Sequence, residues 1–142
     1  MPEPVRWGVL STARFAQSRW IPSLLKTPDA EPVAIASRDT ERARETAERF
    51  GFPKAYGAYD DLLADADIDA VYIPLPNGLH CRWAVQAAEA GKHVLVEKPA
   101  AATLSEARLM ASAAERSGVR LMEAFMPRHH ERWRRLRQLV DD

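Results

Sequence analysis

Lys98 stands one residue beyond the short apolar run His93-Val94-Leu95-Val96-Glu97 and directly before Pro99. An ammonium at such a strand end can bond an oxygen and exchange a proton with it, provided burial or a neighbouring cation brings its pKa down from about 10.4. The other reading is a surface lysine ahead of a proline turn. A second group of residues, Ser11-Thr12-Ala13-Arg14-Phe15-Ala16, follows the first apolar run. Set against G-x-G-x-x-G/A, the three glycine positions hold Ser11, Ala13 and Ala16, small residues that let backbone N–H groups approach an anion at a helix N-terminus. The Ser11 and Thr12 hydroxyls could also bond phosphate oxygen, or the stretch could be a plain Ser/Thr cap on a core helix. The third group is Ser37-Arg38, at the end of the second apolar run, where an Asp or Glu for both ribose hydroxyls of NAD is missing. A guanidinium beside a hydroxyl suits a 2′-phosphate, so the residues favour NADP over NAD. Asp39 is either the next helix's N-cap or a ribose ligand.

These groups need a scaffold that brings them to one rim. Short β-branched runs alternate with longer helical patterns, the rhythm of a parallel α/β sheet. The spacing predicts strands over Val5 to Leu10, Pro32 to Ala36, Ala70 to Pro74, His93 to Glu97 and Val119 to Glu123, with Lys54 to Tyr56 as a further short one. Helices are expected over Thr40 to Phe50, closed by Gly51, and over Asn77 to Ala90, closed by Gly91. A third opens with the capping-box spacing Thr103-Leu104-Ser105-Glu106 and closes at Gly118. Beyond Glu123 the rhythm changes. Trp133, Leu136, Leu139 and Val140 fall on one face of a final amphipathic helix rich in arginine, which should dock back on the sheet or bury its apolar face elsewhere.

Composition narrows the field. The 142 residues carry 20 Lys+Arg against 20 Asp+Glu, ten Pro and one Cys. Zero formal charge lacks the basic excess that polyanion binding uses, so neither a nucleic-acid nor a membrane-surface role is expected, the arginine helix being read as a packing element. One cysteine excludes a disulfide framework, and Cys81 reads as a small buried hydrophobe. No metal site is expected, because adjacent His129 and His130 point in different directions on a helix. The N-terminal residues lack a signal-peptide pattern, and a cytoplasmic location is the expectation.

The runs Arg6-Trp7-Gly8-Val9-Leu10-Ser11-Thr12-Ala13, Ala36-Ser37-Arg38-Asp39, Asp69-Ala70-Val71-Tyr72-Ile73-Pro74-Leu75-Pro76-Asn77 with His80, and Ala90-Gly91-Lys92-His93-Val94-Leu95-Val96-Glu97-Lys98-Pro99 resemble the Gfo/Idh/MocA family of NAD(P)-dependent oxidoreductases. The resemblance implies a Rossmann-type, doubly wound α/β fold over 1–126. Residues 127–142 would then lead toward the family's second α+β domain, which these residues do not include. It implies that Ser11, Thr12, Ala13, Arg14 and Phe15 hold the pyrophosphate end, Ser37 and Arg38 the adenosine end, and Pro74, Leu75, Pro76, Asn77 and His80 the nicotinamide side, with Arg128 also among the cofactor contacts. Glu97, Lys98 and Pro99 would sit at the reaction centre with Lys98 as the catalytic lysine. Glu97 either orients Lys98 or meets the nicotinamide ribose through its backbone, and Pro99 fixes the turn, a cis bond being one way. The implied activity moves hydride between nicotinamide and a sugar, polyol or other small hydroxy or carbonyl compound. The alternative is a nucleotide-binding module with no turnover of its own. A homo-oligomer is a further expectation from the apolar face of the last helix. The sequence departs from the family pattern in its lost glycines, in Pro127 where an aromatic is frequent, and in lacking the downstream Asp/His partner of the lysine.

Overall fold

The computed structural model describes residues 3–141, so Met1, Pro2 and Asp142 of the expected 1–126 and 127–142 units lie outside the described residues. Six parallel strands form one sheet in the order β3-β2-β1-β4-β5-β6. They are β1 (Val5–Leu10), β2 (Ala30–Ala36), β3 (Lys54–Tyr56), β4 (Ala70–Ile73), β5 (His93–Val96) and β6 (Leu121–Glu123). Strand order reverses between β1 and β4, which leaves a crevice above their carboxyl ends.

Strand parity sorts the apolar side chains into two layers. Val9, Ile35 and Tyr72 point to one face, with Ile21 and Leu24 packed over them. Leu10, Ala34, Ala36, Val71, Ile73, Val94 and Val96 point to the other, against Trp83, Ala84, Ala87 and Met110. Both faces of β4 are buried, so this strand is apolar throughout, as a central parallel strand must be. Gly8 permits the close approach of α3 (Tyr59–Leu63), since a Cβ there would lie 2.8 Å from Leu62 Cδ2.

The first crossover is helical from 14 to 24, π-helical over Ala16–Trp20 and α-helical over Ile21–Leu24, together α1. α2 (Thr40–Phe50) opens on Asp39, whose carboxylate accepts from the Glu41 and Arg42 N–H groups, and ends on Gly51 at φ 77°. The helix expected from Asn77 begins instead as a 3₁₀ turn, Asn77–Leu79, and becomes α4 at His80–Glu89. α5 (Leu104–Arg116) has Thr103 Oγ1 accepting from Glu106 N–H, but the Glu106 carboxylate reaches Ala102 N–H at 2.8 Å rather than the Thr103 N–H of a closed capping box. β6 begins at Leu121, two residues later than the sequence suggests.

At the amino ends of the strands, away from the crevice, charged side chains close the base. Arg6 is fork-bonded to Asp69 at 2.8 and 3.0 Å, and buried Lys92 donates to the Asp65 and Ile68 carbonyls at 2.7 and 2.9 Å. Burial pulls the Lys92 ammonium below its ordinary range, against the attraction of Asp65 and Asp69. After a 3₁₀ turn at Met126–His129 comes α6 (Glu131–Asp141), which buries none of its residues. Of the two expectations for its apolar face, docking on the sheet does not occur, and Trp133, Leu136, Leu139 and Val140 are exposed.

Candidate functional site

The turn after β1 reaches the crevice with Ser11 at φ 154°, the single positive-φ non-glycine among the described residues and the position where the G-x-G-x-x-G pattern has its first glycine. Ser11 Oγ accepts from Ala13 N–H at 3.0 Å, so the hydroxyl caps the turn and still has its own hydrogen to donate. Thr12 is buried, and its carbonyl accepts from Gln17 Nε2 at 2.7 Å. Outside this turn Thr12, Arg14, Gln17, Ser18, Arg42 and Arg49 line a polar groove of about 290 Å3. None of its three guanidiniums joins the ion pairs seen among the described residues. Converging cations without carboxylates favour an anion between them.

At the end of β2, Ser37 is buried and its Oγ accepts from Asp39 N–H at 3.2 Å. Asp39 caps the next helix, its Oδ1 accepting from the Glu41 and Arg42 N–H groups at 3.1 and 3.2 Å. Arg38 is exposed beside α3. There burial pushes the Tyr59 phenol up and the Arg38 charge pulls against it.

At the end of β4, Pro74 and Leu75 are buried whereas Pro76 and Asn77 are exposed at the rim. His80 is wholly buried, its Nδ1 2.8 Å from the Pro99 carbonyl oxygen and its Nε2 2.7 Å from that of Leu75. It therefore ties two rim loops together from beneath and does not itself line the crevice.

Past β5, Glu97 N–H donates to the Ile73 carbonyl at 3.1 Å, which extends the β4–β5 pairing to the rim. The Tyr72 hydroxyl donates to Glu97 Oε1 at 2.7 Å, and Lys98 N–H donates to Oε2 at 3.2 Å. The Lys98 side chain is exposed, and the Lys98–Pro99 peptide is cis. The Ala100 N–H donates to Glu123 Oε1 at 2.9 Å and ties this turn to β6. Glu97 lines a mainly apolar cleft of about 290 Å3 with Phe15, Trp20, Leu95, Met122 and Phe125, where Arg19 and His129 add polar groups.

The structure thus gathers Ser11 to Phe15, Pro74 to Asn77 and Glu97 to Pro99 around the ends of β1, β4 and β5. Arg128 is set apart, in a groove with Phe125, Trp133, Arg134 and Arg137. Sequence reading missed Arg42 and Arg49, two turns apart on α2, and the pair Trp20 and Tyr72 beneath Glu97. A signal for Tyr72 existed: a tyrosine inside an apolar strand needs an acceptor for its hydroxyl.

A six-stranded parallel sheet in this order, with a tight turn at the first strand and polar residues along its carboxyl rim, defines a dinucleotide-binding Rossmann domain. Residues 5–125 match the family model GFO_IDH_MocA, described as the oxidoreductase family with an NAD-binding Rossmann fold, and the chain belongs to that family. It is 51% identical over 136 residues to the uncharacterized oxidoreductase ORF334 of Rhizobium meliloti, covering 96% of this chain and 41% of that protein. It is 48% identical over 134 residues to D-xylose 1-dehydrogenase (NADP(+)) 2 of Haloferax volcanii, covering 94% of this chain and 41% of the relative. The fold superposes with a TM-score of 0.92 on KijD10, a 3-ketoreductase from Actinomadura kijaniata crystallised with TDP-benzene and NADP, at 42% identity, covering 98% of this chain and 44% of that one. The chain therefore spans about two fifths of the length of the curated relatives it matches.

Proposed function

We propose that these residues are the cofactor-binding portion of an NADP-dependent oxidoreductase acting on a sugar, polyol or other small hydroxy or carbonyl compound. The observation that carries this reading is the convergence, at one sheet reversal, of an anion-receptive turn at Ser11 to Phe15 with the Glu97-Lys98-Pro99 rim. The fit to a dinucleotide is chemical. Small residues and unpaired guanidiniums meet a diphosphate and 2′-phosphate, and the apolar cleft beside Glu97 meets a flat aromatic ring.

In this reading Ser11, Thr12, Ala13, Arg14 and Phe15 hold the diphosphate, while Ser37 and Arg38, helped by Arg42, hold the adenosine end. Pro74 to Asn77 and Glu97 flank the nicotinamide, and His80 sets the loop heights from below. When bound, the nicotinamide supplies the hydride acceptor or donor. The Lys98 ammonium bonds the substrate oxygen and exchanges the proton that accompanies hydride movement; its exposure leaves it free to reach that oxygen. The D-xylose dehydrogenase and the 3-ketoreductase among the relatives support a carbohydrate-like substrate and NADP as cofactor. Residues 1–126 are the cofactor unit, and 127–142 the connection that carries α6, whose apolar face meets a further protein surface, a second copy of the chain being one such surface. Among the described residues no helix is long and apolar enough to cross a membrane.

Fluorescence titration with NADPH is expected to saturate at one site per chain, and no binding at millimolar cofactor contradicts the proposal. The exposure of the Lys98 side chain favours a second reading, that these 142 residues bind nucleotide without turning substrate over. Turnover of a panel of sugars and diols by the chain rejects that second reading and leaves the first standing.

A further inference from the structure

Leu95 and Glu97 share a strand parity, and the register Tyr72↔Leu95 puts Tyr72 on the same face of the sheet. The phenol points up that face, wholly buried, and delivers its hydrogen to Glu97 Oε1 at 2.7 Å. Trp20 lies flat against the Tyr72 ring, with centroids 4.1 Å apart and planes 10° from parallel, and Trp7 meets Trp20 edge-on at 5.3 Å. The ring is thereby clamped by stacking, and its hydroxyl height is set by the sheet. Lys98 N–H takes the other carboxylate oxygen at 3.2 Å. With each oxygen held by a donor from the protein, the carboxylate is fixed in the wall of the apolar cleft rather than free to swing into solvent. Burial first, and the hydrogen bond to Glu97 second, push the Tyr72 phenol upward, so the hydroxyl remains a donor.

We propose that Tyr72, clamped by Trp20, is a positioning residue that holds the Glu97 carboxylate toward the cleft, so that the site favours the oxidised, cationic form of a nicotinamide dinucleotide over the reduced, neutral form. The inference rests on reading this cleft as the nicotinamide end of the site. Oxidised and reduced forms carry the same phosphates and ribose and differ in ring charge and ring shape. A fixed anion among apolar walls is weakly screened and acts strongly on that one difference. Arg19 lines the same cleft, but its field acts on the wild type and on each variant alike.

The test is the dissociation constant of NADP+ and of NADPH for the full chain and for Glu97→Gln and Tyr72→Phe, measured by calorimetry. Glu97→Gln keeps the shape and still accepts the Tyr72 hydroxyl. It is expected to weaken NADP+ by roughly tenfold and leave NADPH within about twofold. Tyr72→Phe keeps the stacked ring, frees the carboxylate, and is expected to move the ratio about threefold in the same direction. Equal weakening of both forms, the mark of a merely structural role, overturns the inference, and so does an unmoved ratio. If Tyr72→Phe fails to fold, Glu97→Gln at the rim decides alone. A wild-type chain that binds neither form overturns this inference together with the proposed function, whereas binding of both with an unmoved ratio removes this inference only.

Discussion

His80 Nδ1 lies 2.8 Å from the carbonyl oxygen of Pro99, nineteen residues away, and the opposite nitrogen of the same ring lies 2.7 Å from that of Leu75. One buried imidazole thus sets the spacing between the loop after β4 and the turn that carries Lys98. Replacing it with leucine fills the volume but leaves the buried carbonyl that receives the ring N–H without its donor, a loss of roughly 1–3 kcal/mol. The urea midpoint of His80→Leu is expected to drop accordingly, and its NADPH affinity to fall because the two rim loops lose their common anchor. A midpoint equal to wild type disproves the anchoring role.

Arg38 and Arg42 bracket the expected seat of the 2′-phosphate from the end of β2 and the first turn of α2. Removing one such cation costs about 1.4 kcal/mol, a factor of ten, toward NADPH and little toward NADH, which lacks the phosphate. Paired titrations of Arg38→Ala and Arg42→Ala with both cofactors check this. Equal losses for the two cofactors place the phosphate elsewhere.

The Arg6 guanidinium, and the Arg6 N–H at 2.9 Å, hold the Asp69 carboxyl below its ordinary range. Because the folded value lies below the unfolded one, this stabilisation is complete above about pH 4 and is lost as pH falls through the folded value. Asp69→Asn is expected to lower the thermal midpoint at neutral pH, and the gap to wild type is expected to narrow below pH 4. A gap independent of pH contradicts the assignment.

The exposed face of Trp133, Leu136, Leu139 and Val140 makes α6 adhesive. Sedimentation velocity is expected to show association that rises with concentration and is reduced in Leu136→Glu/Leu139→Glu. Identical profiles for wild type and variant show that this face is not the contact.

Local signals carried most of the fold. Asp39 and Gly51 bound α2 within the stretch they cap, and the apolar runs of β1, β4 and β5 are long enough to announce buried parallel strands. The rim residues Ser11 and Glu97 to Pro99 are likewise contiguous in sequence. What escaped is what other elements decide. α3 has five residues, too few for a helical period to register, and it is held by tertiary packing of its buried Tyr59, Leu62 and Leu63, Tyr59 lying edge-on to Trp83. α1 carries a π-helical turn, which displaces Trp20 from the position an ideal helical period assigns. The Tyr72–Glu97 bond joins a residue of β4 to one just past the end of β5, and only the β4–β5 register brings them together. Arg42 and Arg49 share a groove only because the fold lays Gln17 and Ser18 of α1 beside α2.

Chemical-shift mapping on the 15N-labelled chain tests most directly whether a dinucleotide occupies the reversal between β1 and β4. On addition of NADPH, the largest amide shifts are expected at residues 11–15, 37–38, 75–77 and 97–98, titrating together to a single saturation point. Shifts confined to α6 or to the base around Arg6 and Lys92, or no shifts at millimolar NADPH, contradict the account.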